Sequence, residues 1–195
     1  MSPLAVHAVV LAAGRGRRMG GPKHLLPVGE PAQPMLARVV LSLRTAGVSG
    51  ISVVLRPGDA AGEACAHAYG AGPVPAEDAE EGRAASVRAG VRAAPADASG
   101  LLFALADQPF LAADDFAALL AAFAAAPDAI VHACYAGARG TPVLFARRFW
   151  PELLALRGRD GGRRVIAAHP EAVRGVELPP LRGRDIDRPE DLGAR

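Results

Sequence analysis

Apolar positions along the chain follow two alternating rhythms. Short unbroken apolar runs predict buried strands at 6–13 (VHAVVLAA), 51–56 (ISVVLR), 100–106 (GLLFALA), 129–135 (AIVHACY), 141–146 (TPVLFA) and 173–179 (VRGVELP), with a shorter one around Val74. Between them the apolar residues recur at helical spacing. In 35–46, Met35, Leu36, Val39, Val40 and Leu43 share one face, and Gly47 stands where a helix would stop. Helical spacing also marks 59–69, 83–94, 113–126, 149–156 and 160–169. Asp114 and Asp115 lie in the first turn of 113–126, where the helix dipole favours acids.

Strand and helix alternate from the start, so the class is α/β with a mostly parallel sheet. The strands at 129–135 and 141–146 have no full helix between them, so the sheet is mixed. A length of 195 residues suits one domain over 1–195. With 51% hydrophobic and 22% charged residues, the composition is that of an ordinary globular protein. The run 3–13 lacks the preceding basic residues of a signal peptide, and the longest apolar run, 116–126, is too short to cross a bilayer. These features imply no membrane partner and a soluble, cytoplasmic protein. Cys65 and Cys134 stand far apart, which fits a reducing compartment, and the five histidines show no metal-ligand spacing.

A net charge of +2 and the lack of long basic runs argue against nucleic acid as a partner. The positive charge is local. Residues 9–28, VVLAAGRGRRMGGPKHLLPV, place Arg15, Arg17, Arg18 and Lys23 on one glycine-rich turn with no acid among them. A strand, a glycine loop and then a helix is a geometry that holds phosphate through backbone N–H groups and the helix N-terminus. The dinucleotide fingerprint does not fit, because Gly14, Gly16 and Gly20 give G-x-G-x-x-x-G and the second strand ends in Arg56 rather than an acid. The P-loop does not fit either, because Lys23 follows Pro22 and precedes His24. Acids that could hold Mg²⁺ stand after strands, where open α/β sheets bind their ligands: Asp107 directly after 100–106, and Asp185 and Asp187 a short loop after 173–179.

A third pattern does fit the loop. Leu11, Ala12, Ala13, Gly14, Arg18, Met19 and Lys23 match L-A-A-G-x-x-x-R-M-x-x-x-K, which resembles the signature loop of nucleotidylyltransferases with the nucleotide-diphospho-sugar transferase fold. Other segments extend the resemblance from residue 8 to 193. ADQP (106–109) resembles the family's G-D-x-P, with Ala106 in the glycine position. DIDRPEDL (185–192) resembles D-x-D-T-P-E-D-L, with Arg188 for threonine. EEGRAASVRAG (80–90) resembles the segment near the nucleotide base, with Gly82, Ser86 and Gly90 in place. RGTPVLF (139–145) resembles G-H-P-V-L-F, with Thr141 for histidine, and 158–171 resembles a helix near the acceptor.

The nearest resemblance is to the molybdenum cofactor cytidylyltransferases and their guanylyl counterparts. Ala13, where the guanylyl branch usually has glycine, tilts it toward the cytidylyl side. The resemblance implies a Rossmann-like three-layer sandwich that transfers CMP from CTP to a phosphorylated acceptor, foremost molybdopterin, and releases pyrophosphate. A molybdoenzyme would receive the product. It gives catalytic roles to Arg18, Lys23 and Asp107. Leu11, Ala12, Ala13, Gly14, Gly16, Arg18, Lys23, Gly82 and Ser86 would bind the nucleotide, and Asp107 and Asp187 would bind Mg²⁺, with Asp185 nearby. No general base is required, because a phosphate nucleophile is already ionised near neutral pH. Two other readings stay open: a nucleotidylyltransferase for another phosphorylated metabolite, GTP-dependent or acting on a sugar phosphate or phospholactate, and a catalytically silent nucleotide-binding module that hands cofactor to an oxidoreductase.

Overall fold

The computed structural model describes residues 4–14, 21–187 and 191. Its main sheet has seven strands in the order β5-β4-β1-β6-β8-β7-β9. In chain order the elements are β1 (Val6–Leu11), the short pair β2 (Pro27–Val28) and β3 (Gln33–Pro34), α1 (Met35–Ala46), β4 (Gly50–Leu55), α2 (Ala60–Ala68), β5 (Gly72–Pro75), α3 (Arg83–Arg92), β6 (Gly100–Leu105), α4 (Ala113–Ala125), β7 (Ile130–Tyr135), β8 (Ala138–Ala146), α5 (Trp150–Leu154), α6 (Arg163–Ala168) and β9 (Val173–Leu178). The helix α1 has the bounds its periodicity predicts. Gly47 closes it at φ 89° and returns its N–H to the carbonyls of Leu43 and Arg44.

Strands β1, β4, β5 and β6 pair in parallel, and β8 runs antiparallel to both β6 and β7, so the sheet is mixed as expected. The β7–β8 hairpin inserts β8 between β6 and β7, and β9 adds at the edge parallel to β7. Alternate residues of β1 and β6 face opposite helical layers. On one face α3 lies so close that a side chain at Gly90 would collide with Val9 and press on Phe103. On the other, Phe123 of α4 fills the space above Gly100 and Leu144. Helix α1 packs against α4 and α2, and α3 against α5. The core between these layers is apolar and includes Val9, Val10, Leu36, Val40, Leu101, Leu102, Phe116, Leu119, Phe123 and Leu144. No described helix is long and apolar enough to cross a membrane.

One expectation needs correcting. The element that follows the glycine loop is not an α-helix. Lys23–Leu25 is a single 3₁₀ turn, then comes the β2–β3 pair, and the first α-helix starts at Met35. Four prolines in 22–34 (Pro22, Pro27, Pro31 and Pro34) remove the amide donors a helix would use there.

Candidate active site

Chain order reverses at one point of the sheet. From β1 the chain builds outward through β4 to β5, then crosses over α3 to lay β6 against the other side of β1. Such a switch point opens a crevice beyond the C-terminal ends of the strands. Here Leu11 stands in register with Leu105, the Ala12 N–H donates to the Val54 carbonyl (2.9 Å) and the Ala106 N–H to the Leu11 carbonyl (3.2 Å). The start of the glycine loop and Asp107 therefore leave the sheet side by side. Above them is a cleft of about 950 Å³. Of the described residues that the sequence nominated, Leu11, Ala12, Ala13, Gly14, Lys23, Gly82, Ser86, Asp107 and Asp187 line it, and Asp185 does not. Gly16 and Arg18 lie outside the described residues.

Lys23 ties the acids together. Its ammonium donates to Asp107 Oδ2 at 2.8 Å and to Asp187 Oδ1 at 2.6 Å, with only 14% of the side chain exposed. Burial alone would lower the pKa of this lysine. The hydrogen bonds and charges of Asp107 and Asp187 outweigh it, and the pKa stands above the ordinary lysine value. The next residue anchors the turn: His24 is buried, with Nε2 3.1 Å from Asp59 Oδ2, and the other oxygen of Asp59 caps α2 by accepting from the Gly62 N–H at 3.0 Å. Burial lowers the His24 pKa, against an opposing pull from Asp59. This histidine fixes the base of the Lys23 turn.

Asp187 reaches Lys23 from far along the chain because the residue before it is locked down. The Ile186 N–H donates to the Asp107 backbone carbonyl (2.9 Å), and the Ile186 side chain is fully buried with Val28 and Met35. The Asp187 N–H donates to Asp191 Oδ2 (2.9 Å), and Arg184 holds the other Asp191 oxygen (3.2 Å). Asp185 makes no ion pair with Lys23. Partial burial and the charges of Asp107 and Asp187 raise its pKa.

A divalent metal fits this donor set. Asp107 Oδ1 is buried with no hydrogen-bond partner, and oxygens of Asp107 and Asp187 converge on a single cation, the Lys23 ammonium. Among the described residues no group of three or more His, Cys, Asp or Glu side chains could hold a metal. Two carboxylates suit Mg²⁺, which keeps waters and completes its shell with substrate phosphates.

The opposite wall is built from α3 and the turn at 157–160. Gly82 has φ 115°, and a side chain there would sit 2.7 Å from the Gly158 carbonyl oxygen, so only glycine allows the approach. The Ala84 N–H donates to that carbonyl at 3.1 Å. Arg88, 4% exposed, bonds the Leu156 carbonyl (2.9 Å) and Glu81 (2.7 Å), which pins the loop ahead of α3 to the same turn. Arg56, at the end of β4, pairs with Glu80 across the cleft edge. Sequence reasoning missed Arg56, Glu80, Arg83 and Arg159 as lining residues. Glu80 and Arg83 belong to the 80–90 segment and Arg159 to 158–171, which the sequence marked only as segments, without singling out these side chains. A signal was present in part: Arg56 stands at a strand end, where such folds place ligand contacts.

Residues 8–173 match the protein family described as "MobA-like NTP transferase domain". The purine catabolism protein PucB of Bacillus subtilis (strain 168) is 34% identical over 194 residues, covering 94% of this chain and 92% of that protein. Among solved structures, Rv0371c of Mycobacterium tuberculosis H37Rv has a TM-score of 0.85 at 30% identity, over 98% of this chain and 96% of that one. A complex of Rv0371c with manganese has a TM-score of 0.81 at 27% identity, over 97% and 96% of the two chains.

Proposed function

Because the chain belongs to the MobA-like NTP transferase family, we propose that it acts as one nucleotidyltransferase domain that transfers CMP from CTP to the phosphate of molybdopterin and releases pyrophosphate. A molybdoenzyme would be the recipient of the product. The observation that carries this reading is the Lys23 ammonium set between Asp107 and Asp187 at the switch point, at the mouth of a cleft that begins with the glycine loop. Ala13, at the position where the guanylyl branch carries glycine, lines that cleft and supports CTP over GTP. The manganese complex of Rv0371c supports a divalent metal here as well.

The acceptor phosphate attacks the α-phosphorus in line, and pyrophosphate departs. Such a reaction asks for positioning and charge neutralisation more than covalent help. Backbone amides at Ala13 and Gly14 would cradle the triphosphate, and Lys23 and Arg18 would offset the charge that grows on the leaving group. Asp107 and Asp187 would hold Mg²⁺, which would supply positive charge to neutralise the phosphates. Gly82 and Ser86 stand at the base end, on the wall that Arg88 and Gly158 hold in place. No side chain has to remove a proton.

Incubation with CTP, GTP, ATP or UTP, Mg²⁺ and either molybdopterin, a sugar phosphate or phospholactate tests the reading. The expected outcome is a cytidylylated pterin by mass, with stoichiometric pyrophosphate. Product with another acceptor or with GTP moves the substrate within the same chemistry. Nucleotide binding without turnover on any acceptor contradicts the enzyme and leaves a carrier.

A further inference from the structure

The residue after Asp107 is a glutamine that is only 4% exposed. Burying an amide is costly unless its donor and acceptor are both used, and an apolar side chain would fill the space more cheaply. Both ends of Gln108 are used. Its Oε1 accepts from the Thr141 hydroxyl at 2.8 Å, and its Nε2 donates to the Gly183 carbonyl at 2.9 Å. The Thr141 carbonyl in turn accepts from the Tyr135 hydroxyl at 2.7 Å. The Tyr135 ring lies flush against Gly183, where any side chain would collide with it. A closed ring of contacts therefore joins β7, β8, Gln108 and the segment that leads to Asp187.

That segment is gripped at two points by two adjacent residues. The Asp107 carbonyl takes the Ile186 N–H, and the Gln108 side chain takes the Gly183 carbonyl. Just beyond these points stands the carboxylate that must meet Asp107 on one cation. We propose that Gln108, oriented by Thr141, is a positioning residue that sets the Asp187 carboxylate against Asp107, so that β8 controls the geometry of the metal-binding pair. The inference rests on the functional reading above. In this arrangement the Gly183 carbonyl, which can only accept, selects the NH₂ end of the Gln108 amide, and the Thr141 hydroxyl holds the oxygen end in place.

Three substitutions separate orientation from packing. Gln108→Met keeps the length and adds no charge but removes the N–H donor to Gly183. Thr141→Val keeps the shape but removes the hydroxyl. Thr141→Ser retains the hydroxyl and is the conservative control. Two quantities are read on the full chain: Mn²⁺ affinity in the presence of CTP, by electron paramagnetic resonance, and hydrogen exchange at the Ile186 amide, by NMR without metal or nucleotide. Gln108→Met and Thr141→Val should weaken Mn²⁺ binding by roughly 10–100-fold, the range for residues that orient metal ligands, and speed Ile186 exchange while β1 and β6 amides stay protected. Thr141→Ser should behave as wild type in both. Unchanged Ile186 exchange in folded Thr141→Val overturns the proposal, as does Thr141→Ser failing alongside it. If the wild-type chain binds no Mn²⁺ with any nucleotide, the functional reading falls, and Ile186 exchange still decides whether Gln108 holds the segment.

Discussion

The two ends of β1 treat polar groups in opposite ways. At the N-terminal end His7 is buried, with Nε2 2.9 Å from the Ser52 hydroxyl of β4. Its ring lies over Gly50, where a side chain would come within 2.9 Å of Nδ1. Ser49 and Ser99 close this end by donating backbone N–H groups to the carbonyls of Val6 and Ala5. Burial pushes the His7 pKa down, so the ring is neutral. At the C-terminal end the strand opens into the cleft, and Lys23 is held charged by two carboxylates that push its pKa up. The closed end buries polarity without charge: Ser52 takes one nitrogen of the neutral His7 ring, and Nδ1 stays buried without a hydrogen-bond partner. The open end concentrates charge where a ligand can reach it. Both are built from the same three neighbouring strands, so what differs is access to solvent and the charged groups brought in from loops.

Substitutions at the open end should have the largest effects. Lys23→Ala should cost roughly 10²-fold or more in turnover, the scale of removing one preorganised charge partner, with the protein still folded by circular dichroism. Wild-type turnover would remove Lys23 from the chemistry. Asp107→Asn is expected to abolish metal-dependent nucleotide binding in calorimetry and leave the melting transition cooperative. Binding that still depends on metal would place the metal elsewhere.

Much of the open end was legible in the sequence, because its groups lie next to strands or in short motifs. Asp107 follows an apolar run directly, and Lys23 and Asp187 belong to patterns that can be matched residue by residue. The rest was hidden for physical reasons. The β2–β3 pair has two-residue strands, too short to show alternation. Strand β8 starts at Ala138 rather than 141, because Ala138 and Arg139 pair with Tyr135 and Cys134 of β7 although Arg139 and Gly140 do not look like strand residues. The contacts of Gln108 join positions 33 and 75 residues away, which no local pattern records. His7 looked like one member of an apolar run, and only its partner Ser52, 45 residues on, explains why a histidine is tolerated there.

Changes at the closed end should affect stability and not chemistry. His7→Leu leaves the Ser52 hydroxyl without its partner and should cost about 1–3 kcal/mol in denaturant unfolding, with turnover unchanged. Loss of turnover without loss of stability would show that the two ends are coupled. The smallest effect is on pH. Because the folded-state pKa of His7 is lowered from 6.5, its neutral form contributes stability that is whole above that value. The contribution is lost as pH falls below 6.5 toward the folded-state pKa. His24 acts in the same direction. Wild type should therefore lose more stability than His7→Leu between neutral and mildly acidic pH, in paired melting curves. Equal slopes would mean that His7 does not titrate with folding.

Thermal shift of the wild-type chain and Asp107→Asn with CTP, GTP, ATP and UTP, each with and without Mg²⁺, tests the cleft most directly. A ligand at a hundred times its dissociation constant stabilises the folded state by about 2.7 kcal/mol, which is a readable shift. The expected result is a Mg²⁺-dependent shift with CTP in the wild type that disappears in Asp107→Asn. No shift with any nucleotide, or an equal shift in both proteins, would contradict the assignment of this cleft as the nucleotide and metal site.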